Sequence, residues 1–407
     1  MIVKITNHIL AFCQNVAEKG MLLLLAVFIA IILSNSAYSE LYKAFTTSEI
    51  TITAGSLHLS MSLKDWVNDF LMAIFFMIVG MEMKREIIEG HLNTWSARAL
   101  PFIAALMGVL TPMSIFVMYN QHNPDVLDGW AIPVATDIAF ALSILAIIGR
   151  GIPDSLRVFL AALAIIDDLM AVVIIAFWYS ASIEILYIIA ICAIMLTIFL
   201  LNRLQYSGIF IHIILALLLW YSFYCSGVHA TVSGVCMGFL MPLYRGKDNS
   251  SPLVSTERVL APYSAYFILP LFAFVNSGID LSFFSVEQLS NSITAGVAIG
   301  LFLGKQIGVF GAVWLMVRFG FAKLPLHANY GQMYAVAVLC GIGFTMSMFI
   351  NILAYDSTPM YQTYAQLGVI LGSALSVLWA SIVLYMARYS IKGSLLTGVQ
   401  AKQAAQE

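Results

Sequence analysis

Runs of about 20 apolar residues recur along this chain, and no other feature of the sequence limits its fold so strictly. A helix crossing the hydrocarbon core of a bilayer needs about 20 mostly apolar residues. Twelve stretches qualify: 20–36, 66–88, 96–118, 130–149, 155–178, 183–201, 208–224, 228–242, 260–276, 291–317, 328–354 and 362–387. The connections are short, which leaves no room for a large soluble domain. Only 10 % of the 407 residues are charged while 61 % are apolar, too few charges to cover a soluble surface. A secreted enzyme, a nucleic-acid binder and a disordered chain are therefore excluded together. The expectation is an all-α polytopic membrane protein of about twelve transmembrane helices, a single integral-membrane domain over 1–407. The apolar run 21–33 follows Lys19 as a signal-peptide core would, but no small-residue cleavage site follows, so it reads as a first, retained helix. Five cysteines (Cys13, Cys192, Cys225, Cys236, Cys340) are scattered without a C-x-x-C pair, which favours apolar packing over a metal cluster.

Charge asymmetry tests the helix count. With both ends placed in the cytoplasm, sixteen of the nineteen Lys and Arg fall in inner segments, Lys43 and Lys64 fall outside, and Lys305 lies within a span. A bias so one-sided satisfies the positive-inside rule and requires an even number of spans. The first outer connection, 49–61 (EITITAGSLHLSM), alternates β-branched and polar residues around Ala54-Gly55, which predicts a β-hairpin. Its edge suits pairing with a second copy of the chain. The stretch 245–257 (RGKDNSSPLVSTE) is the longest polar run and separates two halves. A distant repeat between the third-to-fifth and tenth-to-twelfth helices is expected because the middle helix of each triplet is interrupted.

Charge at mid-bilayer costs at least about 2.5–3.5 kcal/mol, so each such residue needs a partner or a role. Asp69, Glu82, Asp137, Asp167, Asp168, His229 and Lys305 all fall within the predicted spans. Asp69 and Glu82 lie towards opposite ends of the second span, from where both can reach water. Asp167-Asp168 sit centrally in LAALAIIDDLMAVVIIAF. Neighbouring helical residues point about 100° apart, so the two cannot face one partner equally. Carboxylates this close in low dielectric resist ionising together, so one holds a proton unless a cation replaces it. A hard cation and a proton thus compete for the same oxygens. A plain salt bridge to Lys305 would compensate one aspartate and leave the second exposed to that cost.

The fourth span (GWAIPVATDIAFALSILAIIG) carries Pro133 and then Thr136-Asp137. Proline removes a donor and strains the preceding turn, which predicts a broken helix. Asp137 is then placed to offset a positive half-helix end, while Thr136 and freed carbonyls offer oxygen to a cation. The eleventh span holds CGIGFTMSMFIN, with Gly341 and Gly343 ahead of Thr345 and Ser347. Interrupted helices at corresponding positions of two halves point to a transport site. Lys305 either offsets opposed half-helix carbonyl ends or pairs with Asp167. His229 is of a type that titrates in the physiological range, although a hydrogen-bonded packing histidine is the commoner case.

The strings AIPVATDIAFALSILA, RVFLAALAIIDDL, SGVHATVSGV, ILPLFAF and LCGIGFTMSMFI, with FFMIVGMEMKRE and LGKQIG, together resemble the NhaA-type sodium/proton antiporters of bacterial inner membranes, nearly end to end. That resemblance implies inverted repeats, two discontinuous crossing helices (the fourth and eleventh), and a small extracytoplasmic hairpin joining a homodimer. It implies a transport core at about 96–178 and 291–387 beside interface elements at about 20–90 and 183–276. It also implies electrogenic, pH-activated exchange of Na+ or Li+ for protons, with no cofactor. Asp168 corresponds to the primary cation and proton carboxylate, Asp167 to its partner, Thr136 and Asp137 to contributors at the break, and Lys305 to the compensating charge. Asp69 corresponds to an outward acidic residue. Glu82, Arg85, Glu86 and Glu257, with His229, correspond to residues of the pH response. Met170, Ser143, Val275 and Ser277 depart from the family's usual small residues and bear on cation preference rather than reaction class.

Two rival classes are weaker. An intramembrane aspartyl protease needs two aspartates facing one water, usually from different helices, and the G-x-G-D string is missing from the chain. A sodium-coupled solute carrier would want a polar cavity for its solute, whereas a buried Asp-Asp pair beside a lysine favours protons.

Overall fold

The computed structural model describes residues 20–54, 57–90, 95–149, 152–180, 183–206, 208–244, 251–279 and 286–404. Cys13, Lys19, the Gly55 hairpin turn and the polar run 245–250 lie outside the described residues. The first helix, α1 (Gly20–Ser34), turns through 119° into α2 (Ser39–Thr46). Strands β1 (Glu49–Ala54) and β2 (Leu57–Ser62) pair antiparallel with Glu49 opposite Ser62 and Ile52 opposite Leu59. The predicted hairpin is therefore present, with Ile50 and Ile52 exposed on it.

Long helices follow: α3 (Leu63–Ile88) and α4 (Arg98–Asn120). The fourth span is a 3₁₀ helix, α5 (Pro124–Val134), bent by 43° from α6 (Ile138–Ile148). Then come α7 (Asp154–Trp178), α8 (Ile185–Arg203), α9 (Ile209–Ser226), α10 (Val232–Leu240), α11 (Pro252–Asn276) and α12 (Ser292–Arg318). The eleventh span is α13 (Tyr330–Leu339) bent by 41° from α14 (Phe344–Ala354), and the last is α15 (Pro359–Ala387). Among the described residues eight helices are long and apolar enough to cross a membrane, or up to eleven with each bent pair counted as one span. The break predicted at Pro133 exists, but its first half is 3₁₀ rather than α-helical.

The expected eighth span is the one that falls short. Gly227 closes α9 in the left-handed region (φ 83°) and the chain turns through 228–231, so α10 keeps only nine residues. That is about 14 Å of helix, half a bilayer core. It survives by close packing on α3: a Cβ on Gly234 would overlap the Ala73 carbonyl oxygen, one on Gly238 would overlap that of Met77, and one on Gly80 would come within 2.8 Å of the Val235 oxygen. Small residues that let helix backbones touch are the usual means of association where the hydrophobic effect does not act.

Two large apolar clusters surround the breaks. One joins α6, α7 and α13 through Leu145, Leu160, Leu163, Val336 and Leu339. The other joins α5, α12 and α14 through Ile132, Val297, Leu301 and Phe349. Both interrupted helices are therefore held by buried packing on either side of their unwound segments.

Candidate functional site

The two breaks meet at the centre of the fold. Ala135 leaves α5 in an extended conformation, and Asp137 is extended as it begins α6. The Asp137 amide donates to the Ile342 carbonyl of the other break at 2.7 Å. Gly343 permits this approach, since a Cβ there would come within 3.0 Å of the Ala135 carbonyl oxygen of the first break, while one on Gly341 would come within 2.6 Å of the Leu301 carbonyl oxygen of α12. The glycines of CGIGF thus serve close contact between backbones rather than a left-handed turn.

Asp137 caps the second half-helix of each break, α6 and α14. Its Oδ1 accepts the Phe140 amide at 2.9 Å as the α6 N-cap, and its Oδ2 accepts the Thr345 amide of α14 at 3.1 Å together with the Thr345 hydroxyl. One carboxylate therefore answers the positive ends of two helices at once. The sequence showed Thr345 without revealing this role. The available signal was a hydroxyl placed just after the second break, matching Thr136 just before Asp137 at the first.

The opposite, carbonyl-bearing end of α13 is answered by Thr136. Thr136 Oγ1 lies 2.9 Å from both Asp167 Oδ2 and the Cys340 carbonyl oxygen, so its single proton is shared between two acceptors. Lys305 Nζ donates to the same Asp167 Oδ2 at 2.6 Å, with both side chains fully buried. A lysine snorkelling to the interface is thereby ruled out, and of the two partners open to Lys305 the structure selects Asp167.

Asp168 faces elsewhere, as adjacent positions on a helix must. It lines a cavity of about 290 Å³ with Glu82, Asp137, Ser143, Ser264 and Thr345. Its Oδ1 is buried and has no hydrogen-bond partner among the described residues, and the same holds for Asp167 Oδ1. Buried carboxylate oxygens without a hydrogen-bond partner are chemically suited to a proton or a hard monovalent cation. Among the described residues no group of three His, Cys, Asp or Glu converges as a metal site, so oxygen from threonines and backbone would have to complete any cation shell. Ser143 places its hydroxyl on the Ala139 carbonyl at 2.6 Å and lines the same cavity. Met170 packs at the edge of the apolar cluster around α7.

The other predicted residues divide into two sets. Arg85 pairs with Glu257 at 2.9 Å, and Glu86 adds its charge to the surroundings of Glu257. Arg85 and Glu86 continue from Glu82 along the last turns of α3, and Glu257 meets them from α11. Asp69 and His229 are together at the other end of α3, with Asp69 Oδ1 3.4 Å from His229 Nε2. Thirteen helical residues separate Asp69 from Glu82, about 20 Å. His229 Nδ1 lies 2.8 Å from Thr231 Oγ1 and its ring meets Phe349 edge-on. His229, which the resemblance assigns to the pH response, thus lies at the opposite end of α3 from Glu82, Arg85 and Glu86, in the turn that follows the left-handed end of α9.

Comparison with known proteins adds the following. The sequence profile of the family described as Na+/H+ antiporter 1 matches residues 10–384. A protein of Proteus mirabilis (strain HI4320) named Na(+)/H(+) antiporter NhaA is 45 % identical over 399 residues, covering 98 % of this chain and 100 % of that relative. Proteins of the same name from Sulfurovum sp. (strain NBC37-1) and Vibrio cholerae serotype O1 are 43 % identical over 383 residues and 45 % identical over 368. They cover 93 % and 90 % of this chain, and 98 % and 94 % of themselves.

Proposed function

This chain belongs to the Na+/H+ antiporter 1 family, a family of membrane transporters and not of enzymes, and we propose that it expels Na+ or Li+ in exchange for protons by competition at Asp168 and Asp167. The observation that carries the reading is the unequal setting of the two carboxylates. Asp167 is held by Lys305 and Thr136, while Asp168 lines the cavity and keeps one buried oxygen without a hydrogen-bond partner among the described residues. A cation arriving through the cavity meets Asp168 first. It gains Asp167 when the Lys305 ammonium lets go, with Thr136 and Asp137 supplying further oxygen. Protons that reload the aspartates expel the cation, and the fixed charge of Lys305 keeps the emptied site from carrying excess negative charge.

Exchange of more than one proton per cation makes the cycle electrogenic, so the membrane potential assists Na+ export and serves intracellular Na+ and pH balance. No cofactor is needed for that work; Na+, Li+ and protons are the substrates and the bilayer is the solvent. The Glu82, Arg85, Glu86 and Glu257 set at the cavity's end of α3 supports a pH response at the cytoplasmic mouth, to which His229 contributes from the far side. Asp69 serves as the outward acidic group. The exposed Ile50 and Ile52 on the hairpin support assembly of a homodimer through 49–61. The lysine and arginine distribution supports a multi-pass chain in the bacterial inner membrane with both termini cytoplasmic.

The test is reconstitution in vesicles containing an internal pH dye. Na+ or Li+, but not K+, moves protons, the response grows from pH 6.5 to 8.5, and Asp168→Asn abolishes it. A flat response to every cation from folded protein would return the reading to a sodium-coupled solute carrier.

A further inference from the structure

We propose that Gln306 is a positioning residue for the cation site: through Tyr334 and Trp379 it fixes the doubled π-turn that presents Lys305 to Asp167. Its transport readout rests on the antiporter reading above. Lys305 sits between two consecutive π-helical turns of α12, Gly300–Gly304 and Gln306–Phe310. A π-turn widens the helix and gives up the regular i→i−4 ladder, so its register needs outside support. On one face that support is packing against α4. A Cβ on Gly304 would come within 2.8 Å of Pro112 Cα, and one on Gly308 would overlap the Met107 carbonyl oxygen.

The other face has one polar tie. Between Gly300 and Phe310 the only side chains with polar atoms are Lys305 and Gln306. Tyr334 of α13 donates its hydroxyl to Gln306 Oε1 at 2.6 Å and accepts the Trp379 indole N–H of α15 at 3.0 Å. The Tyr334 ring also meets Phe310 edge-on at 5.4 Å. Gln306 is buried and its Nε2 has no hydrogen-bond partner among the described residues, so this single accepted bond sets the amide. The chain therefore joins the lysine-bearing turn to α13, the half-helix that ends at the Cys340 carbonyl bound by Thr136. Both sides of the Asp167 environment, lysine and threonine, hang on the same strut.

The strut acts on the pair that a cation must open. Na+ can claim Asp167 only by displacing the Lys305 ammonium, so a lysine held less firmly competes less well. The titratable groups around that pair are Asp167 and Asp168 on α7, Asp137 at the α5–α6 break, Glu82 on α3 and Cys340 at the α13–α14 break. Gln306 and Tyr334 touch none of the proposed ligand atoms, so their effect passes through Lys305.

The experiment compares the full chain with Gln306→Leu, Tyr334→Phe and the double variant at one pH, each reconstituted and shown to be folded. Tyr334→Phe keeps the ring against Phe310 and loses only the hydroxyl, so it guards against a failure of Gln306→Leu to fold. Each single variant lowers the Na+ concentration for half-maximal proton movement by about threefold to tenfold, the range of one hydrogen bond, with little change in maximal rate. The double variant goes no further than the larger single effect, because both break one chain. In parallel, backbone amide exchange over 300–310, followed by mass spectrometry, speeds up in both variants and not in α7. Unchanged half-maximal Na+ and unchanged exchange in Tyr334→Phe would overturn the proposal, as would additive effects in the double variant. If the wild-type chain moves no protons with Na+, the antiporter reading fails instead, and the exchange measurement alone decides whether the strut holds the turn.

Discussion

Removing the Asp137 carboxylate should loosen both broken helices at once, and the cost can be worked from its contacts. Asp137 is 2 % exposed and accepts three hydrogen bonds, from the Phe140 amide, the Thr345 amide and the Thr345 hydroxyl. Loss of an N-cap costs about 0.5–2 kcal/mol, and hydrogen bonds to a charged group contribute about 1.5–3 kcal/mol each. The three share one carboxylate and do not add fully, so Asp137→Ala is expected to cost about 3–5 kcal/mol. For 407 residues an unfolding entropy near 0.85 kcal/mol/K turns this into a fall in melting temperature of about 4–6 °C. Asp137→Asn keeps an acceptor for Phe140 but turns an amide donor towards Thr345, and should lose about half as much. Thermal unfolding of the purified variants, followed by intrinsic tryptophan fluorescence, gives both numbers. A melting temperature for Asp137→Ala within about 1 °C of the wild type would refute the double cap.

Other expectations follow from neighbouring geometry. Lys305→Met leaves Asp167 with Thr136 as its remaining side-chain partner, so stability should fall by about 3–5 kcal/mol where the carboxylate is ionised. The deficit should shrink as pH falls, because protonation removes the unpaired charge; unfolding at two pH values checks the sign. Gly234→Ala places a Cβ on the Ala73 carbonyl oxygen and should cost about 1–3 kcal/mol by forcing α10 off α3, read as loss of monodisperse protein in detergent. Half-saturating Na+ should rise about tenfold per pH unit of acidification for each proton displaced, measured as transport against Na+ concentration across pH.

Much of the site was legible because apolar spans make every polar residue conspicuous. Asp167, Asp168 and Lys305 announced themselves by the cost of burying charge, and Pro133 announced a break because proline cannot complete a helical ladder. What stayed hidden depended on tertiary contact. The π-turns around Lys305 have no residue signature beyond their glycines, so neither the turn nor the Gln306 strut could be read. Thr345 was visible as a hydroxyl, but its bond to Asp137 crosses 208 positions of sequence. The run 228–242 was apolar enough to count as a span, yet Gly227 and the turn after it shorten the helix to Val232–Leu240. Composition reports what a segment can tolerate, and only the backbone reports where its helix starts. The place of His229 stayed hidden for the same reason: its partner Asp69 is fixed by how the end of α9 meets α3.

The central claim is that sodium and protons compete for the Asp168 side chain, and proton release on sodium binding tests it most directly. Purified protein in weakly buffered detergent near pH 8 is titrated with NaCl, with KCl as the control, while a dye follows pH. The account predicts protons released by Na+ and not by K+, in proportion to protein, and no release from Asp168→Asn that keeps the wild-type melting curve. Undiminished release from folded Asp168→Asn would contradict it, because the exchange would then belong to another group.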